Sequence, residues 1–159
     1  MESIVRFATP SDMPKVLELI KELAVFEKEP DAVEVTEKML LDDGFNEHPS
    51  FTCFVAEIND QVEGMALVYE RYSTWKGKVL HLEDLVVNQN MRGYGLGGKL
   101  LKRVVEYGKE LGVKRISWEV LDWNTPAIDF YEKRGAKIMR DWHVVQLDEE
   151  GIRNYILNF

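Results

Sequence analysis

Cysteine is almost missing from this 159-residue chain: Cys53 stands alone, so no internal disulfide can form. Its neighbours, Phe51-Thr52-Cys53-Phe54-Val55, read as a packed strand. The thiol is expected in the core rather than as a nucleophile, because His48, His81 and His143 show no recognisable spacing to it. Long apolar runs are missing too. The longest, Met65 to Tyr69, has five residues against the ~20 needed to cross a bilayer, so no membrane partner is expected. The segment Met1-Glu2-Ser3-Ile4-Val5-Arg6 has neither the basic nor the apolar region of a signal peptide, and the expected location is cytoplasmic. Bases are in the minority. Twenty Lys and Arg against 28 Asp and Glu leave a formal charge of −8, which disfavours nucleic acid as the main partner. No repeat, low-complexity tract or Gly/Ser-rich linker divides the chain, and 45% hydrophobic content suits one globular domain over residues 1–159.

What is present is an alternation of strand-like and helix-like segments. Ile4 to Ala8 reads as a strand, and Thr9-Pro10-Ser11-Asp12 supplies the cap chemistry of a helix whose apolar face is Val16, Leu17, Leu19, Ile20, Leu23 and Ala24. Thr36 is placed to cap a second helix that stops near Gly44. Phe51 to Ile58 and Val62 to Tyr72 flank Asn59-Asp60-Gln61 and predict a hairpin. Lys78 to Val87 predicts a third strand, with Val79, His81 and Glu83 on one side and Leu80, Leu82 and Asp84 on the other. Leu96 to Leu111 has the spacing of a long amphipathic helix closed by Gly112, and Arg115 to Leu121 the pattern of a strand, making a βαβ unit. A helix over Ala127 to Arg134 and two short strands, Lys137 to Arg140 and Val144 to Leu147, complete the expectation. It is an α/β (α+β) fold with a mixed, mostly antiparallel sheet of six to seven strands and three or four helices.

The most informative stretch is Met91-Arg92-Gly93-Tyr94-Gly95-Leu96-Gly97-Gly98-Lys99, set between a buried strand and a long helix. Glycines let a backbone approach an anion, and the following helix adds the positive end of its dipole. Gly93-x-Gly95-x-x-Gly98 fits the dinucleotide fingerprint in letters, but five residues, Asn88 to Arg92, separate it from the strand. Gly93-x-x-x-x-Gly98-Lys99 fits a P-loop until Leu100 stands where Ser or Thr must ligate magnesium. Arg92-x-x-Gly95-x-Gly97 is the remaining reading, and it resembles the pyrophosphate loop of the GNAT superfamily of N-acetyltransferases.

The resemblance extends to Trp75-Lys76-Gly77-Lys78, Leu82-Glu83-Asp84-Leu85-Val86-Val87, Leu121-Asp122-Trp123-Asn124 and Asp129-Phe130-Tyr131-Glu132-Lys133-Arg134-Gly135-Ala136, and covers roughly residues 4–143. These segments look like the branch that includes the spermidine/spermine and thialysine acetyltransferases. The resemblance implies acetyl-CoA as co-substrate, no metal, and a homodimer. It implies that Leu85, Val86 and Val87 offer main-chain groups to the pantetheine arm. Arg92, Gly93, Tyr94, Gly95, Leu96, Gly97 and Gly98 would cradle the pyrophosphate, and Asn124, Thr125, Pro126, Ala127 and Tyr131 would contact the cofactor from the next helix. Tyr131 takes the general-acid position, which suits a phenol only if the site lowers its pKa or couples proton transfer to bond breaking. An ammonium substrate must lose a proton before attack. Glu83 is the expected base or amine anchor, with Asp84, Trp75, Phe26 and Glu27 as further substrate contacts. Alternation puts Asp84 on the face opposite Glu83.

The expected activity is acetyl transfer from acetyl-CoA to a primary amine of a small cationic molecule, a polyamine or a thialysine-like amino acid, by direct attack in a ternary complex. Acetylation of a protein lysine or N-terminus, or CoA sensing without turnover, are the alternatives. Ser73 stands where polyamine-selective members carry an acid, which favours the thialysine side. Charge is segregated along the chain. Residues 27–47 carry eight acids and two lysines, net −6, and residues 91–115 carry seven bases and two acids, net +5. A cationic amine is expected at the first segment and an anionic cofactor at the second.

Overall fold

A computed structural model describes residues 2–159, and its contacts divide the chain into two compact units, Met1–Glu119 and Val120–Phe159. In the first unit the hairpin expected around Asn59 forms as β2 (Thr52–Ile58) and β3 (Gln61–Ser73). Asn59 and Asp60 make the turn with φ of 50° and 60°, the left-handed pair that a two-residue hairpin needs and that Asn and Asp tolerate. β1 (Ser3–Phe7) pairs antiparallel with β2, β3 with β4 (Gly77–Val87), and β4 runs parallel to β5 (Ile116–Ser117). The order is β1-β2-β3-β4-β5, so the βαβ unit formed by β4, α3 (Leu96–Leu111) and β5 lies at one edge of the sheet.

β2 and β3 are buried on both faces. On one face α1 (Met13–Phe26) and α2 (Glu37–Gly44) pack Met13, Val16, Leu19 and Leu40 against Cys53, Val55, Met65, Leu67 and Val86. On the other, Arg103 of α3 lies over the rings of Phe7 and Phe54 at 5.2 and 4.8 Å, and a Cβ at Gly108 would stand 2.8 Å from the Ile116 side chain. That glycine lets helix and strand approach. Thr36 caps α2 by accepting from the Met39 N–H at 3.2 Å, and α3 closes at Gly112 with φ of 72°. Thr9 opens a single 3-10 turn, Pro10–Asp12, that leads into α1. Arg6 ties the start of this segment to the sheet, donating to both Asp12 oxygens at 2.7 and 3.0 Å and to Glu57 Oε1 at 2.9 Å. Cys53 is a core side chain as expected, and burial pushes its thiol up to about 12.

In the second unit α4 (Thr125–Glu132) starts two residues earlier than its apolar pattern suggests, because Pro126 fits the first turn and Asn124 Oδ1 accepts from the Ala127 N–H at 3.4 Å. α5 (Glu149–Asn158) was not expected from the sequence; Asp148 caps it, accepting from the Gly151 N–H at 2.8 Å. The signal was present in Asp148-Glu149-Glu150, a cap and acidic first turn ahead of Ile152, Tyr155 and Ile156. Five strands form among the described residues rather than six to seven. Lys137–Arg140 and Val144–Leu147 have strand-like composition but find no ladder, and Val144, Val145 and Leu147 stay exposed. Composition describes a fit to a pleated surface, and without a neighbouring strand it forms none. β5 is likewise only Ile116–Ser117 instead of Arg115–Leu121.

Candidate active site

β4 and β5 are paired only through Leu80 with Ile116 and His81 with Ser117. The ladder to β3 shifts between Leu67, opposite Asp84, and Val68, opposite Leu82, so Glu83 is the extra residue of a bulge. A bulge bends its strand and sharpens the local twist. Here it follows directly on the last β4–β5 pair, which accounts for the early end of β5. From Leu82 to Val87, β4 has no strand on that side among the described residues.

The bulge also changes which faces the side chains take. Ile116, paired with Leu80, meets Gly108 of α3, whereas beyond the bulge Leu85 and Val87 are the residues within 4 Å of a Cβ at Gly97 of α3. Even-numbered residues face α3 before the bulge and odd-numbered ones after it. Val86 accordingly joins the core under α1, and Asp84 shares that face. The expectation that Asp84 opposes Glu83 is therefore corrected: it rested on unbroken alternation.

Main-chain direction follows from one bond. The Asn88 N–H donates to the Glu63 carbonyl at 2.8 Å, so the groups of Val86 and Asn88 point toward β3 and those of Leu85 and Val87 toward the open edge. Arg92 Nε reaches the Val87 carbonyl at 3.3 Å on that side. An extended ligand can add to this edge as a strand would.

The loop after β4 is held at both ends. Asn88 donates to Glu63 Oε2 at 2.7 Å, and the Gln89 N–H donates to Glu22 Oε1 of α1 at 2.6 Å. Gly93 and Gly95 sit at φ of 87° and 80°, and a Cβ on either would meet nothing within 4 Å. Backbone conformation, not space, is what demands glycine at these two positions. The Lys99 N–H to Gly95 carbonyl bond, 3.1 Å, is the first into α3. The N–H groups of Leu96, Gly97 and Gly98 precede it, at the positive end of a 16-residue helix. These features fit an anionic pyrophosphate. Three of the helix's basic residues are directed elsewhere: Lys99 donates to Ser3 Oγ at 2.6 Å, Lys102 lies 3.7 Å from Glu106, and Arg103 pairs with Glu110 at 3.1 Å. Arg92 remains beside the loop, its guanidinium 5.2 Å above the Phe26 ring.

Three carboxylates share one region of the first unit. Asp84 is pushed up to about 6, chiefly by burial and then by the negative charges of Glu83 and Glu27. Burial also raises Glu27, which caps the C-terminal end of α1 after Phe26. The remainder of the acidic stretch is dispersed, with Asp42 paired to Lys38 on exposed α2. Glu83 is exposed at its bulge, 3.7 Å from His81 Nε2; burial, and then this negative charge, raises the Tyr69 phenol. Like charges gathered in one region are an arrangement that a bound cation relieves.

Trp75 is apart from this group. It lies in the turn between β3 and β4, 79% exposed, and six strand residues separate it from Glu83, about 20 Å of chain. Asn124, Thr125, Pro126, Ala127 and Tyr131 all belong to α4 and its cap in the second unit. There Tyr131 stacks edge-on to Phe130 with ring centres 5.4 Å apart, and burial raises its phenol above the usual value. Burial thus moves this phenol away from the lowered pKa that one of the two routes to a general acid would need. Tyr69, His81 and Ser117 were absent from the expected site residues. Only His81 left a trace in the sequence, standing two positions before Glu83 on one side of a strand.

Residues 14–136 match the family described as Acetyltransferase (GNAT). The thialysine N-epsilon-acetyltransferase of Bos taurus is 38% identical over 161 residues, spanning 94% of this chain and 95% of that protein. Spermidine/spermine N(1)-acetyltransferase-like protein 1 of Homo sapiens is also 38% identical, over 92% of this chain and 22% of its own greater length. Among solved structures, an integron cassette protein from the mobile metagenome of V. cholerae superposes with a TM-score of 0.81 over 98% of both chains at 21% identity, a likeness of fold.

Proposed function

Because the chain belongs to the GNAT family of acetyltransferases, we propose that it transfers the acetyl group of acetyl-CoA to a primary amine of a small cationic molecule in a ternary complex. The observation that carries this reading is that the charges of Glu83 and Glu27 act on buried Asp84 beside an open strand edge. The pantetheine amides would pair with Leu85 and Val87, and the pyrophosphate would lie on the N–H groups that open α3. We place residues 1–159 in one acetyltransferase domain, supported by a family match that runs through both units.

The amine arrives protonated, near pKa ~10.4. Glu83, exposed at the bulge, captures the ammonium, and Asp84, at about 6, is the better matched of the pair to take its proton. The free amine then attacks the thioester carbonyl. As the tetrahedral intermediate collapses its nitrogen releases a proton to solvent, the carbon–sulfur bond breaks, and Tyr131 protonates the leaving thiolate and regains its proton from solvent. Direct attack is supported by the lone thiol: buried and pushed up to about 12, Cys53 offers no acyl-enzyme nucleophile. Thialysine-like amino acids and polyamines are the substrate classes, by analogy with the relatives' names. A homodimer belongs to the same reading, supported by the exposed Ile152, Tyr155, Ile156 and Leu157 of α5.

Release of CoA should be measured with spermidine, spermine, putrescine, lysine, thialysine and a lysine peptide. Turnover of at least one small amine is expected. Turnover confined to the peptide would replace the small-amine reading, and acetyl-CoA binding without turnover on any amine would point to a sensor. The loop has its own test. Gly95→Ala forces an L side chain to φ of 80°, at a cost of about 1–2 kcal/mol. The KM for acetyl-CoA should rise on the order of tenfold while that for the amine holds; an unchanged acetyl-CoA KM would remove the loop from cofactor binding.

A further inference from the structure

Tyr69, His81 and Ser117 form a row across three strands on one face of the sheet. Tyr69 is the β3 partner of His81, with ring centres 5.2 Å apart, and Ser117 is its β5 partner, with Ser117 Oγ 2.9 Å from His81 Nδ1. The row occupies the last pair before β4 and β5 part. His81 is 5% exposed, while its Nε2 lies 3.7 Å from the exposed carboxylate of Glu83.

We infer that His81 is a positioning residue for amine capture: with Ser117 bonded to Nδ1, its Nε2–H aims at Glu83 and holds that carboxylate toward the incoming ammonium. The inference rests on the proposed role of Glu83. Burial lowers the imidazole's pKa, against the opposing charge of Glu83, so the ring is neutral and has one donor and one acceptor. The groups acting on it are Tyr69, Arg71 and Ser117 from neighbouring strands, together with Glu83 and Glu119. A carboxylate accepts only. The tautomer that satisfies both neighbours therefore carries its hydrogen on Nε2 and receives the Ser117 hydroxyl proton on Nδ1.

At 3.7 Å the His81–Glu83 approach is longer than a direct hydrogen bond. The exposed carboxylate can close it by rotation or through one bridging water. Burial, and then the negative charge of Glu83, raises the Tyr69 phenol, so this carboxylate lies close to the row as well as to His81. The competing role for His81 is a clasp between β4 and β5 at the point where the open edge begins. That role would act on the acetyl group's donor, not on the amine.

Asparagine and glutamine separate these roles. His81→Asn keeps a polar atom near Nδ1 for Ser117 but loses the reach to Glu83, whereas His81→Gln places an amide N–H near the former Nε2. His81→Asn is expected to raise the amine KM about tenfold with the acetyl-CoA KM unchanged, and His81→Gln to stay within about threefold of wild type. In a Glu83→Gln background, His81→Asn should add less than about twofold, the non-additivity of groups acting as one. Should His81→Asn fail to fold, Ser117→Ala, which removes the donor to Nδ1, carries the same expectation at about threefold. An unchanged amine KM in His81→Asn while Glu83→Gln raises it would overturn the inference alone. So would a raised acetyl-CoA KM shared by both His81 variants. An unchanged amine KM in Glu83→Gln would overturn the Glu83 reading, and the inference with it.

Discussion

Replacing Tyr131 with phenylalanine should lower kcat by at least about 100-fold, the lower range for loss of a positioned general acid, while the affinity for CoA stays within about twofold. The ring itself is structural. It packs edge-on to Phe130, and the Tyr131 carbonyl accepts from the Ala136 N–H at 3.2 Å, an interaction that phenylalanine leaves in place. What is lost is the hydroxyl. Burial raises this phenol above 10, so it keeps its proton throughout the working range of pH. In the proposed mechanism it would deliver that proton as the carbon–sulfur bond breaks and the thiolate develops. The loss should therefore fall on kcat for every amine tested, by a similar factor. Unchanged turnover would remove Tyr131 from the mechanism, and a loss accompanied by weaker CoA binding would reassign it to cofactor contact.

Asp84→Asn should produce opposite changes in activity and stability. The proposed base is gone, so kcat/KM should fall on the order of 100-fold, and the rise in rate through pH of about 6 expected of the wild type should be absent. Stability moves the other way. Burial, with Glu83 and Glu27 nearby, raises the folded carboxyl from its ordinary 3.8 to about 6, so the folded state favours the protonated form. The associated stability is fully present below 3.8 and is lost as pH rises through 6. Above that pH the wild type holds an ionised carboxylate that the asparagine variant lacks. Thermal unfolding without ligand should therefore show Asp84→Asn melting higher than wild type at pH 8 and at nearly the same temperature at pH 4. A cationic amine should narrow the gap at pH 8 by stabilising the wild type selectively. Equal melting temperatures at pH 8 would show that the carboxylate is not held under strain, and would withdraw its assignment as the base.

The retained strain has a functional sense. A carboxylate raised to about 6 is costly to the free protein and close to what proton abstraction at neutral pH requires. Glu83 is exposed to solvent on its bulge. Two adjacent residues of one strand thus stand in different environments, and in the proposed mechanism it is the environment, not the residue type, that divides capture from proton transfer between them.

The acetyltransferase family was legible in the sequence because its signals are local. The Asn59-Asp60 turn, the Thr36 and Asn124 caps, the Gly112 stop and the Arg92 to Gly98 loop each depend on a few neighbouring residues and on backbone angles that only certain side chains tolerate. The same locality explains what was missed. Val144 to Leu147 has strand composition, but a strand exists only where another offers a ladder. α5 had a legible cap and acidic first turn, though its apolar residues stay exposed and form no buried face that would have marked it as a helix.

By itself, then, the sequence determined the family, the order of most elements and the kinds of group available for chemistry. Tertiary structure decided where those groups act. Alternation places Glu83 and Asp84 on opposite faces; one extra residue in the β3–β4 ladder reverses the parity and sends Asp84 beneath α1, toward Glu27. The same bulge ends the β4–β5 pairing at His81 and Ser117 and leaves an edge for a ligand. No residue spacing encodes this, because register, burial and the field of distant charges are properties of strands and helices brought together.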